Sequence, residues 1–125
     1  MTRVLLATDS DSVHQTIDAA LRGYASHILR VSSGAEVRHA VQAHSPDVVI
    51  CDLQIANMGG VATSLDLRME ADMGRLPNTR ILLLLDREAD IYLARQAKVD
   101  AWLLKPLDAV RLQQALASLA PEPAP

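Results

Sequence analysis

Four short apolar runs without a polar break punctuate the chain: residues 4–7 (VLLA), 48–51 (VVIC), 81–85 (ILLLL) and 101–104 (AWLL). A strand with one wet face alternates polar and apolar residues, so unbroken runs of this length read as strands covered on both faces. A parallel sheet sandwiched between helices meets that condition. His27-Ile28-Leu29-Arg30-Val31 differs, because a His and an Arg interrupt its apolar residues. That pattern suits an edge strand, where burial is incomplete.

The segments between the runs carry helical spacing. Val13, Ile17, Ala20 and Leu21 fall on one face of a helix that follows Ser10-Asp11 and stops at Gly23. Ser33 and Glu36 have capping-box spacing ahead of Val37, Ala40 and Val41. Val61, Leu65 and Met69 mark a third helix, after Gly59-Gly60 and ending near Gly74. Ala89, Leu93 and Ala97 do the same for a fourth over residues 88–97. A fifth starts at Asp108, with Leu107 and Leu112 placed as a hydrophobic staple and Leu112, Ala115, Leu116 and Leu119 as its stripe. Strands alternating with helices predict an α/β fold, a single doubly wound five-stranded parallel sheet with five helices on its two faces. An edge strand second in sequence selects the flavodoxin-like order 2-1-3-4-5.

At 125 residues the chain fits one domain, and 50% apolar against 22% charged residues suffices to bury a core. Residues 1–119 are expected to form it, while residues 120–125, Pro-rich, read as a disordered tail or the stub of a linker. Twelve Lys and Arg against fifteen Asp and Glu give a net charge of −3, which argues against direct nucleic-acid binding through bulk electrostatics. Phe is absent, and Tyr24, Tyr92 and Trp102 alone do not make a platform for stacking bases. No apolar run approaches a membrane span, and Met1-Thr2-Arg3 leads into the first strand without a signal-peptide layout, so the expected location is cytoplasmic. The lone Cys51 makes no internal disulfide, and His14, His27, His39 and His44 are scattered without zinc spacing.

In a sheet of this order, ligands sit beyond the carboxyl ends of the strands where the order reverses, here after the first and third strands. Thr8, Asp9 and Asp11 follow the first and Asp52 the third, and Lys105, after the fifth, reaches the same edge. Two carboxylates and an ammonium in one crevice suit a hard cation together with an anionic group such as phosphoryl. Each residue alone has a plainer use: Asp9 as a helix cap, Asp52 as a turn cap, Lys105 as a solvated charge.

Three segments together resemble the receiver domains of two-component response regulators: Arg3-Val4-Leu5-Leu6-Ala7-Thr8-Asp9-Ser10, then Pro46 to Leu53 leading into Met58-Gly59-Gly60, then Asp100-Ala101-Trp102-Leu103-Leu104-Lys105-Pro106. The resemblance runs from Arg3 to Leu119. It implies that Asp52 accepts a phosphoryl group from a histidine kinase or phosphotransfer protein. It further implies that Asp9 ligates magnesium directly, that Asp52 and the backbone carbonyl of Gln54 complete the metal site, and that Lys105 pairs with the carboxylate and then with the phosphoryl oxygens. A carboxylate nucleophile attacking a phosphoramidate, beside groups that stabilise the transferring charge, is chemistry these side chains can perform. A domain of this family is a signalling switch rather than an enzyme, at most hastening its own phosphorylation and dephosphorylation, and it acts on a downstream protein target.

The departures from the family pattern carry weight of their own. Thr8 stands where the family usually has its first acid, so magnesium is expected to be held weakly, with the hydroxyl holding a metal-bound water. Asp11 lies close enough to compensate, or else caps the first helix. Leu85 replaces the switch Thr or Ser at the end of the fourth strand. Trp102 fits the aromatic switch position and fits equally an anchor for the fourth helix. Ala56 replaces a usual proline, which predicts a looser loop. Two readings follow: an atypical but phosphorylatable receiver, and a phosphorylation-independent pseudo-receiver that binds a protein partner. Gln54 denies a haloacid-dehalogenase-like phosphatase its second acid, and residues 8–12 lack the Gly of a flavodoxin-like phosphate loop. The surface expected around Tyr92, Arg95, Lys98, Asp100 and Arg111 is polar enough to suit a monomer or a weak homodimer.

Overall fold

The computed structural model describes residues 2–121. The apolar runs are strands: β1 (Thr2–Ala7), β2 (Ala25–Val31), β3 (Val48–Asp52), β4 (Arg80–Leu85) and β5 (Ala101–Leu104). They form one parallel sheet in the order β2-β1-β3-β4-β5. Parallel neighbours require crossovers, supplied by α1 (Asp11–Leu21), α2 (Val37–His44), α3 (Gly60–Asp72) and α4 (Ile91–Gln96), while α5 (Ala109–Leu119) follows β5. Every residue of β3 is buried, whereas every residue of β2 is half-buried or exposed. The His and Arg in β2 thus mark an edge strand, as expected. Among the described residues no helix is long and apolar enough to cross a membrane.

The two-residue period of the strands divides the core into two layers. Leu5, Ala7, Val49, Cys51, Ile81, Leu83 and Leu85 face α2, α3 and α4, while Val4, Leu6, Val48, Ile50, Leu82 and Leu84 face α1 and α5. Leu107 packs into the second layer beside Leu112, the staple pair at the start of α5. Ile17, Ala20 and Leu21 are buried on α1, as are Val37, Ala40 and Val41 on α2.

Two helices bury other residues than their spacing predicted. On α3, Leu65 and Met69 are 37% and 56% exposed, and the sheet is met by Gly60, Thr63, Ser64 and Leu67. Close approach explains it: a Cβ on Gly60 would lie 2.7 Å from the Asp52 carbonyl oxygen and 2.8 Å from Leu83 Cδ1. Ser64 is small and donates its hydroxyl to the Gly60 carbonyl at 2.8 Å. Ahead of α4, residues Glu88–Asp90 form a 3-10 turn in which buried Asp90 accepts the Arg87 N–H at 3.0 Å. The helix proper therefore starts at Ile91, which packs on the core with Ala94, leaving Ala89 and Leu93 exposed.

The caps also differ in detail. Ser10, not Asp11, caps α1 by accepting the Val13 N–H at 3.2 Å. Ser33 makes no cap bond, and Glu36 instead accepts the Ser32 N–H at 3.2 Å. The expected Pro-rich tail is described only as far as Pro121, so residues 122–125 lie outside the described residues.

At the amino ends of β4 and β5, Asp100 accepts hydrogen bonds from the Ile81 N–H at 2.7 Å, Arg68 at 2.6 Å and Arg80 at 3.3 Å. Arg68 also donates to the carbonyls of Lys98 and Thr79, which ties α3 to both strands. Burial alone would raise the Asp100 pKa, but these donors and the Arg68 charge bring it below the ordinary carboxylate value.

Candidate functional site

The carboxyl ends of β1, β3 and β5 bring Thr8, Asp52 and Lys105 together. Thr8, fully buried, is fixed by its own N–H, which bonds the Val31 carbonyl at 3.1 Å. Its hydroxyl donates to Asp52 Oδ2 at 2.6 Å. Lys105 Nζ meets the other oxygen, Oδ1, at 2.5 Å. Asp52 is 1% exposed, so its charge rests on these two donors. Sequence reasoning missed Asp86, directly after β4, whose carboxylate shares the ammonium at 3.1 Å. Burial would lower the Lys105 pKa, yet the hydrogen bonds and charges of Asp52 and Asp86 outweigh it and raise the pKa above the ordinary lysine value. The Lys105–Pro106 peptide is cis.

Asp9 is exposed at the rim, and its carboxylate accepts the Ala56 N–H at 3.0 Å. Asp11 does not turn toward Asp52. It pairs with Arg30 at 2.7 Å, and Arg30 Nε donates to the Thr8 carbonyl at 3.1 Å. The register that sets Arg30 beside Leu6 puts both on the α1 side of the sheet, which explains the pairing. Asp11 therefore neither caps α1 nor supplies the missing acid. The side chain of Gln54 is exposed. The loop after Asp52 is pinned rather than loosened by Ala56, since the Gly34 N–H bonds the Ala56 carbonyl at 3.1 Å and Thr63 donates to the Met58 carbonyl at 3.1 Å.

Leu85, fully buried, closes the layer under α2, α3 and α4, on the opposite side of the sheet from Leu84, the register partner of Asp52. Trp102 is half-buried against that layer, with the Arg95 guanidinium of α4 5.7 Å from the centre of its ring. This is the geometry of an anchor for α4. Cys51 is buried, and burial together with the neighbouring Asp52 charge pushes its thiol up to about 12, so it is inert.

Residues 4–117 match the response regulator receiver domain. The chain belongs to that family. It is 31% identical over 113 residues to the transcriptional regulatory protein ZraR of Salmonella typhimurium, covering 90% of this chain and 25% of that protein. It is 32% identical over 127 residues to the transcriptional regulatory protein KdpE of Mycobacterium tuberculosis, covering 95% of this chain and 55% of that protein. This receiver domain thus spans from 25% to about 55% of the length of those relatives. The chemotaxis response regulator CheY4 of Vibrio cholerae has the same fold, with a TM-score of 0.82 at 24% identity, over 95% of this chain and 98% of that one. Receiver domains are signalling domains of two-component systems and generally not enzymes.

Receiver domains generally hold magnesium at this acidic edge, and the donor set here does not fit it. Magnesium prefers six oxygens in near-octahedral array and is recruited by carboxylate charge. Among the described residues no three His, Cys, Asp or Glu side chains are grouped to hold a metal. Of the acids at this edge, Asp52 is bonded at both oxygens, Asp86 shares the Lys105 ammonium, Asp9 holds the Ala56 N–H, and Asp11 is paired with Arg30.

Proposed function

We propose that this receiver domain accepts a phosphoryl group on Asp52 from a histidine kinase or phosphotransfer protein. The contact of Lys105 with Asp52 at 2.5 Å carries this reading, because the same ammonium is placed to follow charge onto a phosphoryl group. An Asp52 carboxylate oxygen attacks phosphorus in line, a P–O bond forms and the P–N bond to the donor imidazole breaks. The bonding pair returns to the imidazole nitrogen, which leaves neutral after taking up a proton. Lys105, shared with Asp86, offsets charge on the transferring oxygens. The signal passes to a downstream protein target through a change in conformation or association.

Residues 1–119 constitute the module and residues 120–125 a tail or linker. The chain is a monomer or a weak homodimer, for which sedimentation at sub-micromolar concentration should show no tight dimer. Treatment with phosphoramidate followed by intact-mass measurement tests the acceptor. One phosphoryl adduct is expected in the wild type and none in Asp52→Ala. A second reading, a pseudo-receiver that binds its partner without phosphorylation, is favoured by buried Leu85 in the position of the switch hydroxyl. No adduct on folded wild-type protein would select it.

A further inference from the structure

The hydroxyl of Thr8 has one proton to give, and its surroundings decide where that proton goes. The Ser10 N–H donates to Thr8 Oγ1 at 3.1 Å, so the oxygen acts as acceptor toward the turn that opens α1. Its proton is then committed to Asp52 Oδ2, at 2.6 Å. Neither partner can relax away, because Thr8 is fully buried and Asp52 is 1% exposed. A threonine so used has given its proton to Asp52 and one of its two lone pairs to the Ser10 N–H.

The neighbouring charges tell the same story. An ion entering at Oδ2 would compete with the Thr8 hydroxyl for that oxygen, and losing the contact would leave a buried proton without an acceptor. It would meet a carboxylate already balanced by the Lys105 ammonium, and it would compete with the Ala56 N–H for Asp9. Asp86 already shares Lys105, and the remaining acid nearby, Asp11, is held by Arg30, whose guanidinium sits on the Thr8 carbonyl and adds a positive charge behind the site.

We propose that the Thr8 hydroxyl is the resident partner of Asp52 Oδ2 in the place of a divalent cation, so that this receiver site takes up no magnesium at cellular concentrations. Thr8 is a positioning residue: it orients the carboxylate and presents it to a phosphodonor with the side chain already fixed. The inference concerns the same site as the proposed phosphoryl acceptance and rests on that reading for its consequence, though not for its test.

The full chain is titrated with magnesium chloride against an ionic-strength control and followed by calorimetry and by melting temperature. Wild type is expected to show no saturable binding up to ~10 mM and no rise in melting temperature beyond the control. Thr8→Asp, which exchanges the donor for a further carboxylate, should bind magnesium at least ~10-fold more tightly than wild type. Thr8→Ser, which keeps the hydroxyl, should behave as wild type. Saturable wild-type binding anywhere below ~10 mM overturns the inference. The wild-type titration decides the matter even where Thr8→Asp fails to fold. In a parallel mass measurement with phosphoramidate, equal adduct yields in magnesium and in EDTA support the inference. An adduct only with magnesium overturns it while leaving Asp52 as acceptor. No adduct in either condition overturns the acceptor reading, and the titration still decides the metal.

Discussion

Replacing Leu85 by threonine separates what this side chain does for the fold from what it withholds from the site. Leu85 is fully buried at the end of β4, in one cluster with Leu83 and Ala94. The change removes about two methylene equivalents, ~1.6 kcal/mol at ~0.8 kcal/mol each. The vacated volume and a hydroxyl without a partner in the resting state add ~1–3 kcal/mol. Urea unfolding should therefore show a loss of about 3–4 kcal/mol with an unchanged slope, a large share of the ~5–15 kcal/mol a domain possesses. A hydroxyl that turns from this position to reach a phosphoryl group on Asp52 gains a charged acceptor, worth about 1.5–3 kcal/mol, enough to shift a two-state population roughly tenfold or more. Trp102 is the only tryptophan, so its emission reports the response. Phosphoramidate should change that emission little in wild type and clearly more in Leu85→Thr. A large, saturable wild-type change that the variant does not enlarge would refute the idea that the missing hydroxyl at position 85 limits the response. A stability loss below ~1 kcal/mol would refute the packing account.

Other perturbations test the frame around the site. Asp100→Asn weakens the three donor contacts at the base of β4 and β5 and should cost about 2–3 kcal/mol in a thermal or urea melt. Because the folded Asp100 pKa lies below its unfolded value, its contribution is present above about pH 4 and lost as pH falls through the folded value, so Asp100→Asn should flatten the acid limb of a stability profile. The Lys105 pKa is raised in the fold, so its contribution is complete below the unfolded value of ~10.4 and lost as pH rises through the folded one. Lys105→Met should flatten the alkaline limb. Gly34→Ala places a Cβ 1.7 Å from the Met58 carbonyl oxygen, and circular dichroism should show a loss at or above the ~3 kcal/mol upper end of ordinary overpacking.

The sheet was legible because β1, β3 and β4 are buried on both faces, and an unbroken apolar run has few other uses in a chain of this size. The inward face of α3 was not. Apolar residues lie on both its faces, and the deciding quantity is the distance of its first turn from the sheet, which Gly60 and Ser64 make short. At the site, spacing along the chain brought Thr8, Asp52 and Lys105 to one edge, where the structure places them in contact. Spacing could not show that Asp11 leans toward β2, since that depends on Arg30, a residue legible only as an interruption of an edge strand. Asp86 was hidden in the same way. A charge directly after a buried strand has many destinations, and only the cross-sheet position of Lys105 selects one.

The backbone of Ala56 is gripped on both sides, its N–H by the Asp9 carboxylate and its carbonyl by the Gly34 N–H. It acts as a rivet joining the end of β1, the loop beyond Asp52 and the turn that opens α2. On the other flank Trp102 is wedged under Arg95 and Leu85 is locked in hydrocarbon, so little is free to slide there. The rivet fastens the loop beyond Asp52 to the turn that opens α2, and the Arg38 bridge to Asp66 and Glu70 fastens α2 to α3. The amide of Gly34 is therefore a reporter of that joint, and its proton should exchange faster when the loop beyond Asp52 is disturbed.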